Sequence, residues 1–224
     1  MSIADIISLE RLPPPATSNS INEKKYSVSS TALYGCISGE NSNQALLSSM
    51  FQLRHRVFNQ RLKWDVTSIN EKEVDNFDNI NTHYIITTDI NNNVKGCVRL
   101  LPTTMPYMLS EVFPTLWQSS APLPCSDNIC ELSRFSFEKS NDSGGYGFSN
   151  PVIRLLRNLV MYARQNDISH YIFVTTSAIE RLLMIQGISI KRVGHAIKIG
   201  NASTVVIFMN INTQTEEALF HHLT

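Results

Sequence analysis

The sequence predicts an α/β domain in which a central mixed sheet is covered by helices. The clearest element is a helix from Pro151 to about Gln165, where apolar residues fall on one side and arginines on the other. Strand-like runs precede and follow it, including HYIITTD, ICELSRFSF and YIFVTT. Because strands and helices occur in mixed order and no internal repeat is visible, we expect one layered domain over residues 41–224.

The remaining elements can be assigned in order along the chain. Leu46, Met50, Leu53 and Val57 recur at spacings of four, three and four, which predicts an amphipathic helix. HYIITTD and VKGCVRLLP predict a hairpin, since the asparagines at 91–93 between them favour turns. A short helix is expected within the proline-punctuated run PTTMPYMLSEVFPTLW, before the strand ICELSRFSF.

The second half of the predicted domain begins at a helix cap. Asn150 followed by Pro151 is a typical helix start. After the strand YIFVTT, the run AIERLLMIQ predicts a helix that ends at Gly187. Two further strands are expected near 188–199 and 203–211.

Composition excludes several classes of protein. The chain has 224 residues, with 19 Lys+Arg and 19 Asp+Glu, so no global charge attracts nucleic acid or an anionic membrane. Its start, MSIADIISLE, lacks the features of a signal peptide, and the apolar run TVVIFMNI is far shorter than the roughly 20 residues that span a bilayer. We therefore expect a cytoplasmic protein without a membrane partner.

Residues 1–40 and the cysteines carry no clear functional signal. Residues 1–40 contain PPP and many serines and asparagines, which predicts a flexible N-terminal extension or a loosely attached strand. The four cysteines form no C-x-x-C pair and the histidines form no H-E-x-x-H pattern. We expect reduced thiols and no metal site.

The most informative feature is an ordered set of charged and aromatic positions in LRHRVFNQRLKW, EVDNFD, GCVRLLPTT and CELSRF. Two of its charges, Arg99 and Glu131, lie in segments that otherwise read as buried strands. A buried unpaired charge costs several kcal/mol, so these charges should be paired or face a cleft. The full set is Arg54, Phe58, Trp64, Asp75, Asp78, Arg99, Phe113, Glu131 and Arg134.

This set resembles the acyl-homoserine-lactone synthases, the LuxI-type autoinducer synthases of quorum sensing, over roughly residues 44–200. The resemblance implies an αβα fold related to the GCN5-type N-acetyltransferases. It also implies a reaction that joins S-adenosylmethionine to an acyl thioester, carried by acyl carrier protein or coenzyme A. S-adenosylmethionine is then a substrate, and no metal or redox cofactor is needed.

The residue types suit that chemistry. Glu131 is the expected proton acceptor for the substrate amine, and Arg99 and Arg134 are grouped with it as catalytic. The aspartates can hold positive groups or order arginines, and the arginines can hold the substrate carboxylate. Aromatic faces suit the sulfonium or adenine. The expected S-adenosylmethionine pocket is Arg54, Phe58, Trp64, Asp75, Asp78 and Phe113.

Structural alternatives exist for each position taken alone. Phe58 and Trp64 can be core aromatics, and Asp75 and Asp78 can cap turns. Arg99 and Glu131 can form one ion pair between strands. Glu131 and Arg134, three residues apart, point to opposite faces of a regular strand. Either a β-bulge re-aims one of them, or Arg134 supports the site from behind.

Three positions bear on the identity of the acyl chain. Ser133, Phe173 and Thr175 are the expected acyl-chain pocket. Where synthases of 3-oxo chains often have threonine, this chain has Phe173, which favours an unsubstituted, short or branched chain. A shift of one residue in alignment would instead bring Thr175 or Thr176 near.

A basic helix face, Arg154, Arg157 and Arg164, is the expected docking site for an acidic acyl carrier protein, with a solvated charged face as the alternative. Rival functions are another acyl-coenzyme-A-dependent N-acyltransferase, whose R/Q-x-x-G-x-G/A signature is not apparent, and a catalytically silent binding protein.

Overall fold

The computed structural model describes residues 44–79, 82–89, 91–138 and 148–220. The expected extension over residues 1–40 lies outside these ranges. The first described element is helix α1 (Gln44–Arg54), which continues directly into a π-helix (His55–Arg61). A two-stranded ribbon of β1 (Ser68–Ile69) and β2 (Lys72–Glu73) follows.

A six-stranded mixed sheet forms the centre of the domain, as predicted. Its order is β3-β4-β5-β6-β8-β7, and only the β5–β6 pair is parallel. The strands are β3 (His83–Thr88), β4 (Val94–Pro102), β5 (Ile129–Phe137), β6 (His170–Thr176), β7 (Ile190–Ile199) and β8 (Ala202–Asn210). The other helices are α2 (Met108–Glu111), a 3₁₀ turn (Pro114–Leu116), α3 (Asn150–Gln165), α4 (Ser177–Ile185) and α5 (Thr213–Phe220).

Helices cover both faces of the sheet. On one face, the apolar stripe of α3 packs with Leu183 of α4 and Leu219 of α5 against the sheet. On the other face, α1 and the π-helix cover β3 and β4, and the segment between β4 and β5 covers the remaining strands. The helix predicted from Pro151 and the αβα layering are confirmed. Among the described residues, no helix is long and apolar enough to cross a membrane.

The parallel strands β5 and β6 diverge. Their pairing runs from Ile129 opposite His170 to Glu131 opposite Ile172, and then ends although both strands continue. Beyond Glu131 the two strands are no longer paired, and this unpaired interval beside Ser133 is called the opening between β5 and β6.

A β-bulge lies immediately after this point in β5. Arg99 pairs with Ser133 and Cys97 pairs with Ser136, so β5 holds one residue more than β4 in this interval. Arg134 has a positive φ of 52°, which marks the bulge. Of the two arrangements that the sequence left open, the structure therefore has the bulge, which turns Arg134 to the side of the sheet that Glu131 occupies.

Candidate active site

Three arginines and three acids form a closed ring of alternating charge on the face covered by α1. Arg54 bonds Glu73 at 2.5 Å and Asp78 at 2.7 Å. Arg99 bonds Asp78 at 3.0 Å and Asp75 at 2.5 Å, and Arg134 bonds Asp75 at 2.7 Å and Glu73 at 3.0 Å. Because every charge has two partners of opposite sign, the ring satisfies the requirement that buried ions be paired. Five members were predicted, and Glu73 was missed.

The surrounding elements explain how these six side chains meet. Arg54 ends α1, Arg99 lies in the middle of β4, and the bulge of β5 presents Arg134. Asp75 and Asp78 are fixed by a tight turn, because Asp75 N–H donates to Asp78 Oδ2 and Phe77 N–H donates to Asp75 Oδ1. The acids are therefore held by the backbone as well as by the arginines.

Burial of the ring is nearly complete except at one side. The side chains of Arg54, Arg99 and Glu73 are 0% exposed, whereas Asp75 is 21% and Arg134 is 10% exposed. Burial alone would raise the pKa of Asp75, but the charges of Arg99 and Arg134 outweigh it and lower that pKa. The Asp75 carboxylate is consequently charged at the exposed side of the ring.

Glu131 lies beside the ring without belonging to it. Its two carboxylate oxygens accept hydrogen bonds from the backbone N–H groups of Met108 and Leu109, each at 2.7 Å. The alternative of an Arg99–Glu131 ion pair is therefore wrong, because Arg99 is held by Asp75 and Asp78 and stands opposite Ser133. Burial raises the pKa of Glu131 to about 7, against the opposing effect of the two amides.

The aromatic residues stack on one another and on the arginines. The Phe58 and Trp64 rings lie 5.0 Å apart and nearly parallel, and the Arg134 guanidinium lies 5.5 Å from the Phe58 ring centre. Phe58 is buried, while Trp64 is half-buried. Phe113 follows α2 and packs in the apolar cluster beneath the β4–β5 segment. Phe58 and Trp64 therefore lie beside the ion-pair ring. Phe113 lies just after α2, the helix whose first backbone N–H groups bond Glu131.

The three residues expected to contact the acyl chain do not share one face. Ser133 lies on the ring face, where its hydroxyl accepts a hydrogen bond from Arg99 Nε at 3.0 Å. Phe173 lies on the opposite face, where it packs against the apolar cluster formed with α3. Thr175, two residues further along β6, lies on the same face as Phe173. The opening between β5 and β6 lies between these two groups.

Two of the three predicted docking arginines have intramolecular partners. Arg157 Nε donates to the carbonyl oxygen of Leu219 at 2.5 Å, and Arg164 pairs with Glu216 of α5. Arg154 is exposed and forms no ion pair within the described ranges. The basic face is therefore partly occupied by the C-terminal helix.

No alternative centre emerges elsewhere in the described residues. They contain no group of three or more His, Cys, Asp or Glu side chains placed to hold a metal ion. Burial raises the pKa of Cys97 to about 11, so its thiol is not a nucleophile at neutral pH. A cavity of about 430 Å³ beside Trp117, Val193 and Phe208 includes none of the predicted site residues.

The fold and the site together define an acyltransferase with the architecture of the N-acetyltransferases. The autoinducer synthase family model matches residues 38–219. The chain is 37% identical over 183 residues to an acyl-homoserine-lactone synthase of Pseudomonas aeruginosa, covering 81% of this chain and 90% of that protein. It is 40% identical over 177 residues to one of Aliivibrio fischeri, covering 77% and 90%.

Solved structures agree with these sequence matches. The synthase LasI has a TM-score of 0.71 at 38% identity, covering 80% of this chain and 89% of that chain. TofI, in a ternary complex with an inhibitor and MTA, has a TM-score of 0.67 at 33% identity, covering 78% and 89%. An N-acetyltransferase from Lactobacillus plantarum, at 15% identity and a TM-score of 0.52, shares the fold alone. The chain belongs to the autoinducer synthase family and is an acyltransferase of the acyl-homoserine-lactone synthase class.

Proposed function

We propose that the chain makes an acyl-homoserine lactone by two steps at the open side of the charged ring. The amine of S-adenosylmethionine attacks the thioester carbonyl, an amide bond forms, and the carrier leaves as a thiol. The carboxylate of the same methionine moiety then attacks its own γ-carbon, which is bonded to the sulfonium. The bond between this carbon and sulfur breaks, so the lactone closes as methylthioadenosine leaves. The observation that carries the proposal is Glu131 placed, with a raised pKa, beside the exposed edge of an otherwise sealed ion-pair ring.

Glu131 accepts the proton of the amine in this scheme. Each carboxylate oxygen has more than one acceptor site, so bonding one backbone amide each leaves capacity for a proton, directly or through water. A pKa of about 7 lies near the working pH, which suits a general base. Arg99 and Arg134 hold the substrate carboxylate near Ser133, and Asp75 faces the positive groups.

The acyl thioester enters through the opening between β5 and β6. This places the carbonyl near Ser133 on the ring face and directs the chain toward Phe173 and Thr175 on the α3 face. Phe58, Trp64 and Phe113 contribute aromatic surface to S-adenosylmethionine. Arg54 and Asp78 act through the ring by fixing Arg99.

The donor carrier and the location complete the proposal. Acyl carrier protein and coenzyme A are both retained as donors, with Arg154, Arg157 and Arg164 as the surface for a protein carrier. BjaI, of similar fold, has been solved with SAM and isopentyl-CoA. S-adenosylmethionine serves as a substrate, no further cofactor is assigned, and the reaction belongs in the cytoplasm.

The test is to incubate the purified chain with S-adenosylmethionine and a panel of acyl-carrier-protein and coenzyme A thioesters. Mass spectrometry should detect one lactone together with methylthioadenosine, and a thiol assay should detect the released carrier. Glu138→Gln, at an exposed acid outside the site, serves as the matched control for Glu131→Gln. A folded chain that gives no lactone with any donor would contradict the proposal.

A further inference from the structure

The donors of Arg99 and Arg134 are almost all committed to oxygen atoms. Arg99 Nε donates to Ser133, Arg99 Nη1 to Asp75 and Asp78, and Arg99 Nη2 to Asp75 at 3.1 Å. Arg134 Nε and Nη2 donate to Glu73 and Asp75. Within the described ranges, the second hydrogen of Arg99 Nη2 and the Nη1 group of Arg134 meet no oxygen.

Both of these remaining donors point at the same atom, the thioether sulfur of Met108. Arg99 Nη2 lies 3.1 Å from Met108 Sδ, and Arg134 Nη1 lies 3.6 Å from it. A thioether is a weak acceptor, whereas guanidinium groups bond carboxylates strongly and often through two hydrogen bonds. The sulfur is therefore a poor match for two converging cationic donors.

Met108 also lies where the ring is accessible. Asp75 and Arg134 are the ring members with appreciable exposure, and Met108 is half-buried against Arg134. Its backbone N–H is held by Glu131 Oε2, so the side chain can rotate while the backbone stays in place. Methionine has three rotatable side-chain bonds, so this rearrangement is easy.

We infer that Met108 occupies a carboxylate subsite, and that the α-carboxylate of S-adenosylmethionine displaces its sulfur from Arg99 Nη2 and Arg134 Nη1. This inference rests on the proposed function and specifies how the substrate is positioned. The amine and the carboxylate of the substrate share one carbon atom. A carboxylate at this subsite therefore brings the amine close to Glu131, the neighbour of Met108.

The displacement can be observed directly in the wild-type chain. The seven methionines are labelled with ¹³C at the methyl group, and the Met108 signal is assigned from its loss in Met108→Leu. S-adenosylmethionine should move this signal. Decarboxylated S-adenosylmethionine, which keeps the amine, sulfonium and adenosine, should bind and leave the signal near its free position.

Binding constants provide an independent readout that needs no acyl donor. Met108→Ala removes the group that must be displaced, so it should tighten binding of S-adenosylmethionine by roughly threefold or more, the scale of one modest hydrogen bond. Binding of the decarboxylated compound should not change. Met105→Ala, at an exposed methionine of the same segment, is the matched control and should alter neither constant.

The outcomes separate the inference from the proposed function. A Met108 signal that responds equally to both compounds, or to neither while both bind, would overturn the subsite and leave the proposed function intact. Equal weakening of both compounds by Met108→Ala would likewise assign Met108 a structural role only. A folded wild-type chain that binds neither compound would contradict the proposed function and the subsite together.

Discussion

At the scale of single residues, Glu131 couples burial, two backbone hydrogen bonds and a raised pKa. The ionised form of Glu131, which acts as the base, becomes populated as pH rises through about 7. The value of kcat/KM measured by thiol release should therefore rise around this pH. Glu131→Gln should lower turnover by about a hundredfold and abolish this rise, since the amide neither accepts the proton nor titrates. Retention of most activity in Glu131→Gln would reduce Glu131 to a support for α2.

The same pKa shift predicts how stability depends on pH. The folded state holds the Glu131 proton up to about pH 7, whereas the unfolded chain releases it near the ordinary value of 4.5. Ionisation is thus unfavourable in the folded state. As pH rises from 4.5 to about 7, the wild-type free energy of unfolding should therefore decline relative to that of Glu131→Gln. Glutamine has one acceptor oxygen, so Glu131→Gln should lose one of the two backbone hydrogen bonds and some stability at every pH. The diagnostic quantity is therefore how the difference in the free energy of unfolding changes with pH. Parallel curves from urea unfolding would refute this assignment.

Glu73 is the second residue whose role can be isolated. Glu73→Ala leaves Arg54 and Arg134 each with one lost partner in a buried site, so the free energy of unfolding should fall by about 3–5 kcal/mol. Glu138→Ala is the control, because Glu138 pairs with Lys95 at the surface and should contribute about 1 kcal/mol or less. Urea denaturation measures both, and similar losses would contradict a ring held by buried pairing.

Five of the six ring members could be predicted from the sequence, because charges inside strand patterns must be paired or face a cleft. Arg99 and Glu131 break otherwise apolar runs, and Asp75 and Asp78 complete the resemblance. Glu73 was missed because EKEV reads as an exposed acidic run, and only the fold shows that its side chain is sealed beneath Arg54. Met108 was missed because a methionine in a short helix gives no signal of a nearby guanidinium.

At the scale of elements, the β5 bulge determines whether Arg134 can join the ring. The sequence posed the alternative, because Glu131 and Arg134 are three apart, but a bulge depends on how β5 pairs with β4. The predicted helices, the hairpin and the third strand are confirmed, since each has its own local pattern. The π-helix after α1 was not predicted, as apolar spacing alone does not distinguish it from a continuing α-helix.

A pair of variants at Arg134 measures the strain of the bulge. Arg134→Ala and Arg134→Gly both remove the guanidinium, but only alanine keeps a β-carbon at the positive φ of 52°. The glycine variant should therefore be the more stable of the two by about 1 kcal/mol, as left-handed backbone disfavours a side chain. The comparison cancels the lost ion pairs, which are common to both. Equal stabilities in thermal or urea unfolding would mean that the bulge relaxes when the arginine is lost.

At the scale of the whole molecule, the layering was predictable and the order of the strands was not. Helical and strand periodicities gave a sheet between helices, because each pattern reports which face is buried. The order β3-β4-β5-β6-β8-β7 and the opening between β5 and β6 depend on pairing between distant segments. The partnership of α3 with α5 is similarly long-range, and it changes what is expected of the arginines on α3.

Docking of a protein carrier is the prediction most affected by this packing. Arg154 is exposed and free of ion pairs in the described ranges, so Arg154→Glu should raise KM for an acyl-carrier-protein donor several-fold, more so at low salt. Turnover at saturation should stay nearly unchanged, because the proposed chemical step lies on the face of the sheet opposite α3. A small coenzyme A donor should show little change. Steady-state kinetics with both donors at two salt concentrations measures this.

Arg164 requires a different design, because Arg164→Glu alone would place two acids together beside α5. The charge swap Arg164→Glu with Glu216→Arg keeps the pair between α3 and α5 and moves the positive charge to the other helix. If Arg164 itself meets the carrier, the swap should raise KM for the protein donor although the fold is preserved. If the α3–α5 pair is its whole role, the swap should leave both donors unaffected while Arg154→Glu still acts. Unchanged KM in both variants would return the α3 arginines to the status of a solvated helix face.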